Sequence, residues 1–391
     1  MSLFAVSVFS QDGDLGVRIK ADSLFVESIV LKENGRYEEA FAVAREAYSV
    51  DSASAAVMAE LSRYILAFER DFTKAIDAMR QAVFLSPSII DYKIFLAGLF
   101  SDAGDYSAAA EAYEELAKLR PAKNEFHIRL GELYIRLEEP GKALAQLNIL
   151  ENNNGITETV CLQKANIHLN AGEKRMALKE ILKICEKFPE NAQYLLMAGD
   201  LYLEINEYDA AIDIFKRCIA KIQADNGTAV SVLFGRLGDI YQIKGERDSA
   251  YLAYDKALEH NAANIVVLNN YAYALSLDKR DLDRAEQMVG RCVGADPANS
   301  TYLDTYAWVF FQKGNYRKAK LYIENALSGG RTDEADVFDH YGDILFQLGQ
   351  VEKAVVQWGK ALELKIRNGE TDIGILQRKI TEKVLYETPA K

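Results

Sequence analysis

The side chains best able to do covalent, acid–base or metal chemistry are the histidines and cysteines, and their spacing is unfavourable for all three. They are His127, His168, His260, His340, Cys161, Cys185, Cys218 and Cys292. No two cysteines form a C-x-x-C pair, and no histidine lies at metal-ligand spacing from a cysteine. The chain also lacks a phosphate-binding loop, a G-x-S-x-G turn, an H-E-x-x-H pair and a dinucleotide fingerprint. The sequence therefore predicts no catalytic centre, no metal site and no cofactor, and we expect a protein that is not an enzyme.

The charge balance narrows the class of partner. The chain has 391 residues, 49% of them hydrophobic, and a formal net charge of −12, with a pI of about 5.1. Nucleic acids and anionic lipids attract clustered Lys and Arg, and this acidic chain has no basic stripe. No apolar run approaches the ~18 residues of a membrane-spanning helix. We therefore expect a protein or peptide partner that is basic or apolar, no nucleic acid and no membrane insertion. The oligomeric state is left open.

The first residues suggest a location. MSLFAVSVFSQ is apolar and then turns polar, with the small residue Ser10 before Gln11, as in the distal half of a secretory signal peptide. The basic segment that usually precedes such a stretch is missing, and the first Lys or Arg is Arg18. We expect residues 1–16 to be a signal-peptide remnant or a disordered N-terminus. The protein is then periplasmic or otherwise exported to the cell envelope, with a cytoplasmic location as the alternative.

One small residue recurs along the chain in similar company. Ala285 follows R-D-L-D-R, and Ala319 follows G-N-Y-R-K, 34 residues later. The full series of these marker alanines is Ala40, Ala75, Ala109, Ala143, Ala177, Ala211, Ala250, Ala285, Ala319 and Ala354. Each ends a pattern close to G-x-[Y/F]-x-x-A. A Gly or Asn at its first position suits a helix C-terminus with positive φ. The pattern therefore indicates a turn between two helices and the start of the second.

This period, with Pro297 twelve residues past Ala285, resembles the tetratricopeptide (TPR) repeat. Members of that family carry G-x-x-Y in the first helix, supplied here by Gly131/Tyr134, Gly199/Tyr202 and Gly238/Tyr241. The resemblance covers roughly residues 17–368. It implies an all-α, right-handed solenoid of about ten helix-turn-helix repeats, with a C-terminal capping helix. Residues 269–327 are most similar to the repeats of bacterial envelope-associated TPR proteins.

The spacing also suggests how the repeats are grouped. The interval from Ala211 to Ala250 is 39 residues, and residues 224–228 give a turn signal. We expect an N-terminal array of six repeats over 17–222 and a C-terminal array of four over 223–368, stacked rigidly or hinged near 220–230. Residues 369–391 are predicted to be the capping helix and tail. Their apolar stripe is Ile373, Leu376, Ile380 and Val384, and the side chains expected on the polar side are Arg378, Lys379, Glu382 and Lys383.

The TPR resemblance also implies a binding surface. In that family the first helix of each repeat faces a concave groove, and the residue after its glycine points into it. The candidate partner-binding residues are Tyr64, Glu132, Asn166, Asp200, Asp239, Asn270, Asp304, Trp308, Phe311 and Asp343. The TPR proteins that bind chaperone C-termini need Lys and Asn at such positions, whereas this chain has acidic or apolar residues. We therefore expect a different class of ligand.

Three functions fit this surface. The first is a non-catalytic scaffold or adaptor that binds a partner segment in its concave groove, with Trp308 and Phe311 supplying apolar contacts and the acids selecting a basic partner. The second is a self-associating structural spacer of a cell-envelope assembly. The third is binding of a saccharide or another small ligand at the aromatic end of the groove.

The marker alanines give a direct test of the helix-pair assignment. We expect Ala319→Leu to lower the free energy of unfolding by roughly 1–3 kcal/mol, because a larger side chain overpacks a tight helix contact. Thermal unfolding measures this effect, and an unchanged midpoint would count against the assignment.

Overall fold

A computed structural model of the protein describes residues 3–222, 226–329 and 333–386, with side chains from Leu15 onward. Within those ranges every regular element is a helix. The chain divides into two compact units, Met1–Lys187 and Phe188–Lys391, here called the N-terminal and C-terminal units.

The N-terminal unit consists of five helix pairs in sequence. The helices are α1 (Leu3–Glu33), α2 (Tyr37–Val50), α3 (Ala55–Tyr64), α4 (Phe72–Leu85), α5 (Ile90–Asp102), α6 (Tyr106–Leu119), α7 (Asn124–Arg136), α8 (Pro140–Asn154), α9 (Glu158–Asn170) and α10 (Lys174–Lys187). A π-helical turn, Ile65–Glu69, follows α3.

The C-terminal unit consists of five further pairs and a final short helix. The helices are α11 (Ala192–Glu204), α12 (Tyr208–Lys221), α13 (Gly227–Ile243), α14 (Arg247–His260), α15 (Ile265–Leu277), α16 (Leu282–Ala295), α17 (Ser300–Gln312), α18 (Tyr316–Ser328), α19 (Ala335–Gln347), α20 (Val351–Arg367) and α21 (Gly374–Glu382). Leu376 of α21 is buried in one apolar cluster with Trp358 and Leu364 of α20. The predicted all-α architecture of ten helix pairs with a C-terminal capping helix is confirmed.

The marker alanines lie where the paired helices touch. All ten have no exposed surface, and each lies in the first turn of the second helix of its pair. A methyl group is the largest side chain that such a close approach admits, since packed interiors leave few voids and little slack. The regular spacing of the marker alanines in the sequence therefore reflects a steric requirement that is the same in every helix pair.

A residue with left-handed backbone ends the first helix of every pair. Glycine takes this position in six turns: Gly35, Gly104, Gly172, Gly245, Gly314 and Gly349. Asn206, Arg70, Glu138 and Lys279 take it in the others, with φ between 52° and 61°. The left-handed conformation costs a non-glycine residue roughly 1–2 kcal/mol. The turns that depart from the sequence pattern at Arg70 and Glu138 therefore keep the conformation without the favourable residue.

The glycine of the first helix faces an aromatic ring from the second. A Cβ placed on Gly342 would lie 2.3 Å from Trp358 Cδ1, and one on Gly238 would lie 2.4 Å from Tyr254 Cε1. Gly199 faces Phe215 in the same way, at 2.3 Å. In each case the ring comes four residues after the marker alanine. At these glycines the space between the two helices is therefore filled by an aromatic ring of the second helix. At Gly199 and Gly238, the tyrosine of the G-x-x-Y pattern follows on the first helix, at Tyr202 and Tyr241.

Three predictions are not tested by the described residues: the array boundary, the signal-peptide remnant and the exported location. Residues 223–225, in the predicted long loop between the arrays, lie outside the described residues, so the array boundary stays a prediction. The backbone of α1 is helical from Leu3, but the side chains of residues 3–14 are not described, so the signal-peptide remnant and the exported location also stay predictions. No helix of the described residues is long and apolar enough to cross a bilayer.

The glycine–aromatic contact predicts a sharp difference between two glycines of the C-terminal unit. We expect Gly342→Ala to lower the free energy of unfolding by roughly 1–3 kcal/mol, because its Cβ would overlap Trp358. Gly359→Ala is the matched control: nothing lies within 4 Å of its new Cβ, and alanine favours a helix by about 1 kcal/mol over glycine. Urea unfolding monitored by circular dichroism compares them, and equal effects would contradict the contact.

Candidate functional site

A cavity of about 550 Å³ lies in the C-terminal unit. Its walls come from α15, α17 and α19, the first helices of three successive pairs, and from α21 with the residues around it. The side chains that line it are Tyr273, Leu277, Lys279, Trp308, Phe311, Gln312, Tyr316, Asp336, Asp339, His340, Asp343, Gln347, Lys365, Glu370, Asp372, Ile375, Leu376, Leu385 and Tyr386. The volume is within the range of small-ligand sites, ~300–1,000 Å³.

Trp308 forms the centre of an aromatic stack in this cavity. Its indole stacks on the His340 ring at 4.1 Å between centroids and on the Phe311 ring at 4.6 Å. Tyr316 extends the aromatic wall, 5.5 Å from Phe311. Trp308 is only 8% exposed, and its Nε1 donor has no acceptor among the described residues. The ring is held firmly, yet its one polar atom is unsatisfied.

His340 is fixed by an acid from the preceding pair. Its Nδ1 lies 2.9 Å from Asp304 Oδ1. Burial lowers the pKa of His340, but the nearby carboxylates of Asp304, Asp336 and Asp339 outweigh burial and raise the pKa above its usual value. The imidazole is therefore inclined towards the charged form, whose Nδ1–H donates a hydrogen bond to Asp304 Oδ1.

Lys379 of α21 bonds two carboxylates of α19. Its Nζ donates to Asp339 Oδ1 at 2.8 Å and to both oxygens of Asp343, at 2.7 and 2.9 Å. The Lys379 side chain has no exposed surface, so the expectation that it lies on the polar side of the capping helix is wrong. Burial and the neighbouring Asp339 raise the pKa of Asp343, which Lys379 only partly offsets. The pair of carboxylates thus shares a single ammonium group.

The aspartate after the first-helix glycine also accepts a hydrogen bond from the aromatic side chain of the second helix. Trp358 Nε1 donates to Asp343 Oδ1 at 2.8 Å, and Tyr254 Oη donates to Asp239 Oδ1 at 2.7 Å. Asn270 Nδ2 also donates to Asp239 Oδ1, at 3.1 Å. Burial raises the pKa of Asp239 despite these hydrogen bonds. Asp239 and Asp343 therefore satisfy polar atoms that helix pairing buries.

The structure brings part of the predicted binding surface together. Trp308, Phe311 and Asp343 line the cavity, and Asp304 contacts it through His340. In the C-terminal unit, Asp239 and Asn270 bond each other, and Asp200 pairs with Arg236.

The three candidates of the N-terminal unit lie apart from this cavity in the sequence and make local contacts. Tyr64 is buried, with its hydroxyl 3.3 Å from Ser28 Oγ and its ring beside Phe41. Glu132 is exposed and pairs with Arg129, and Asn166 is exposed. A partner-binding role for these residues stays a prediction.

His340 and Lys379 are not among the candidate site residues predicted from the sequence. Lys379 comes three residues after Leu376 and directly before Ile380, at the edge of the apolar stripe, and this position was a signal that it could be buried. His340 carries no comparable signal, because its partner Asp304 is 36 residues away in another helix pair.

The cysteines are not part of the cavity wall. All four are buried, and burial raises the pKa of Cys292 to about 11. Within the part of the chain that the structure describes, no three or more His, Cys, Asp and Glu side chains are grouped to hold a metal ion.

Lys379 provides a test of how the capping helix is held. We expect Lys379→Met to lower the free energy of unfolding by roughly 3 kcal/mol, because it leaves the buried Asp343 and the partly buried Asp339 without a cation. Lys383→Met, which removes a half-exposed pair with Glu352, should change it by less than about 1 kcal/mol. Chemical unfolding compares them, and equal small effects would show that the buried lysine contributes little.

Models of tetratricopeptide repeats match residues 96–154, 162–226, 305–372 and, for a second type, 233–264. TPR repeat-containing protein MJ1428 of Methanocaldococcus jannaschii is 23% identical over 71% of this chain and 51% of its own length. BBSome complex member BBS4 of Bos taurus is 32% identical over 38% of this chain and 28% of its own. The chain thus spans about half or less of these relatives.

A solved structure, the APC/C hetero-tetramer Cut9–Hcn1, is similar to the chain at a TM-score of 0.45. The two chains are 14% identical, and the match covers 93% of this chain and 77% of the chain in the solved structure. The repeat models span more than half of the chain. The chain therefore belongs to the tetratricopeptide repeat family.

Proposed function

We propose that this protein is a non-catalytic interaction scaffold whose C-terminal unit binds a segment of a partner protein. The observation that carries the proposal is the cavity of about 550 Å³ along α15, α17 and α19, with Trp308, Phe311 and Tyr316 in its wall. Helical repeat proteins commonly bind their partners on surfaces formed by successive repeats. The partner segment would lie across these helices and insert a side chain into the cavity.

The aromatic wall supplies most of the affinity in this proposal. Interface residues that dominate binding are enriched in Trp and Tyr and lie in well-packed pockets. The Trp308 indole is already fixed between neighbouring rings, so binding need not order it. A partner segment therefore gains apolar contact there with little additional loss of side-chain entropy.

The partner is proposed to be basic or apolar. The chain carries a net charge of −12, which would raise the association rate of a basic protein at low salt. Several acids named by the sequence are already engaged: Asp200 with Arg236, Asp239 with Tyr254, and Asp343 with Lys379. These acids would therefore favour a basic partner mainly through the overall negative electrostatic field of the protein surface.

A displayed peptide library selected against the purified chain tests this function. We expect Trp308→Ala combined with Phe311→Ala to weaken the selected peptides at least tenfold, because both rings leave the cavity wall. Fluorescence anisotropy with labelled peptides measures the affinity, and circular dichroism reports that the variant keeps its helices.

Phe84→Ala is the matched control, since Phe84 is 84% exposed on α4 of the other unit. Peptides that bind wild-type, the double variant and the control equally well would place recognition elsewhere and reject the cavity as the binding site.

A further inference from the structure

The cavity has more carboxylates than cations to balance them. Lys379 bonds both Asp339 and Asp343. Lys365 likewise lies 3.2 Å from Asp336 Oδ1 and 3.0 Å from Glu370 Oε2. Twice, then, one ammonium group serves two carboxylates in the same cavity wall. Lys279 and His340 also line the cavity, but its five carboxylates (Asp336, Asp339, Asp343, Glu370 and Asp372) still outnumber these two groups together with Lys365 and Lys379.

Burial makes this shortage costly at Asp343. Burial and Asp339 raise the pKa of Asp343, so the charged form of this carboxyl group is costly in the cavity. A charged group in a poorly hydrated site is stabilised by an opposite charge within a few ångströms. A second cation in the cavity would balance the carboxylate charge that the single positive charge of Lys379 leaves unbalanced.

An independent observation also indicates a ligand. Trp308 Nε1 is a buried donor with no acceptor among the described residues, and Trp308 lines the cavity. Buried N–H groups in folded proteins almost always have a partner. The stack with His340 and Phe311 fixes the indole, so the donor cannot readily turn elsewhere. The missing partner is an acceptor such as a carbonyl oxygen.

We propose that the cavity takes an arginine side chain of the partner segment, with its guanidinium at the carboxylates of Asp339 and Asp343 and its main-chain carbonyl at Trp308 Nε1. This inference rests on the proposed function and identifies the partner residue that the cavity would bind. Arginine fits better than lysine for two reasons. A planar guanidinium presents five donors to neighbouring carboxylates, and it stacks on aromatic faces such as those of Tyr273 and Phe311.

The two tryptophans make the proposal measurable on the whole chain. Trp308 and Trp358 give two indole N–H signals in a ¹H–¹⁵N TROSY spectrum, assigned with Trp308→Phe. The probe is Nα-acetyl-arginine methylamide, and the control is the uncharged isostere Nα-acetyl-citrulline methylamide. We expect the arginine probe to shift the Trp308 signal saturably at millimolar concentration, and the citrulline probe to bind at least tenfold more weakly.

Asp339→Asn should weaken the arginine probe about tenfold, and circular dichroism reports whether the variant keeps its helices. Asp248→Asn is the control, because the Asp248 side chain is 99% exposed. Equal shifts of the Trp308 signal with both probes, or no shift with either, would overturn the arginine assignment. This result needs only the wild-type chain. If selected peptides still depend on Trp308 and Phe311, the scaffold function survives that result.

Discussion

Contact between paired helices at an alanine with no exposed surface is the constraint on which each unit depends. Since that alanine lies in the first turn of the second helix, where the paired helices touch, its methyl group sets how closely the two helices approach. Close approach then requires a glycine on the first helix wherever the second carries a ring, as at Gly342 and Trp358. The left-handed residue in each turn reverses the chain so that the contact can form. These features are consequences of one packing distance.

The same packing explains why an acid follows the glycine. A buried Trp or Tyr ring brings its polar atom with it, and that atom needs an acceptor. Asp343 and Asp239 provide one, each fifteen residues before its aromatic partner. Asp200 has Phe215 in the corresponding place, which has no polar atom, and Asp200 pairs instead with Arg236. Asp239 and Asp343 are therefore part of their own helix pairs, whereas Asp200 links its pair to the next one.

The fold could be predicted from the sequence because its determinant is local and repeated. A fixed interval between small residues survives even where the turn residue changes, as at Arg70 and Glu138. The aromatic half of the cavity could be predicted for the same reason, since Trp308 and Phe311 lie one turn apart on a single helix. Periodicity places a residue on a face but does not reveal a partner on another element. Lys379 and Asp339 are 40 residues apart, and only the docking of α21 brings them together.

The position of Leu385 and Tyr386 in the cavity wall has a practical consequence. A polypeptide that continues from Tyr386 starts beside the cavity. A short tether holds its end at an effective concentration on the order of millimolar. Under the proposed arginine recognition, an arginine-rich tag attached there would compete with weak ligands.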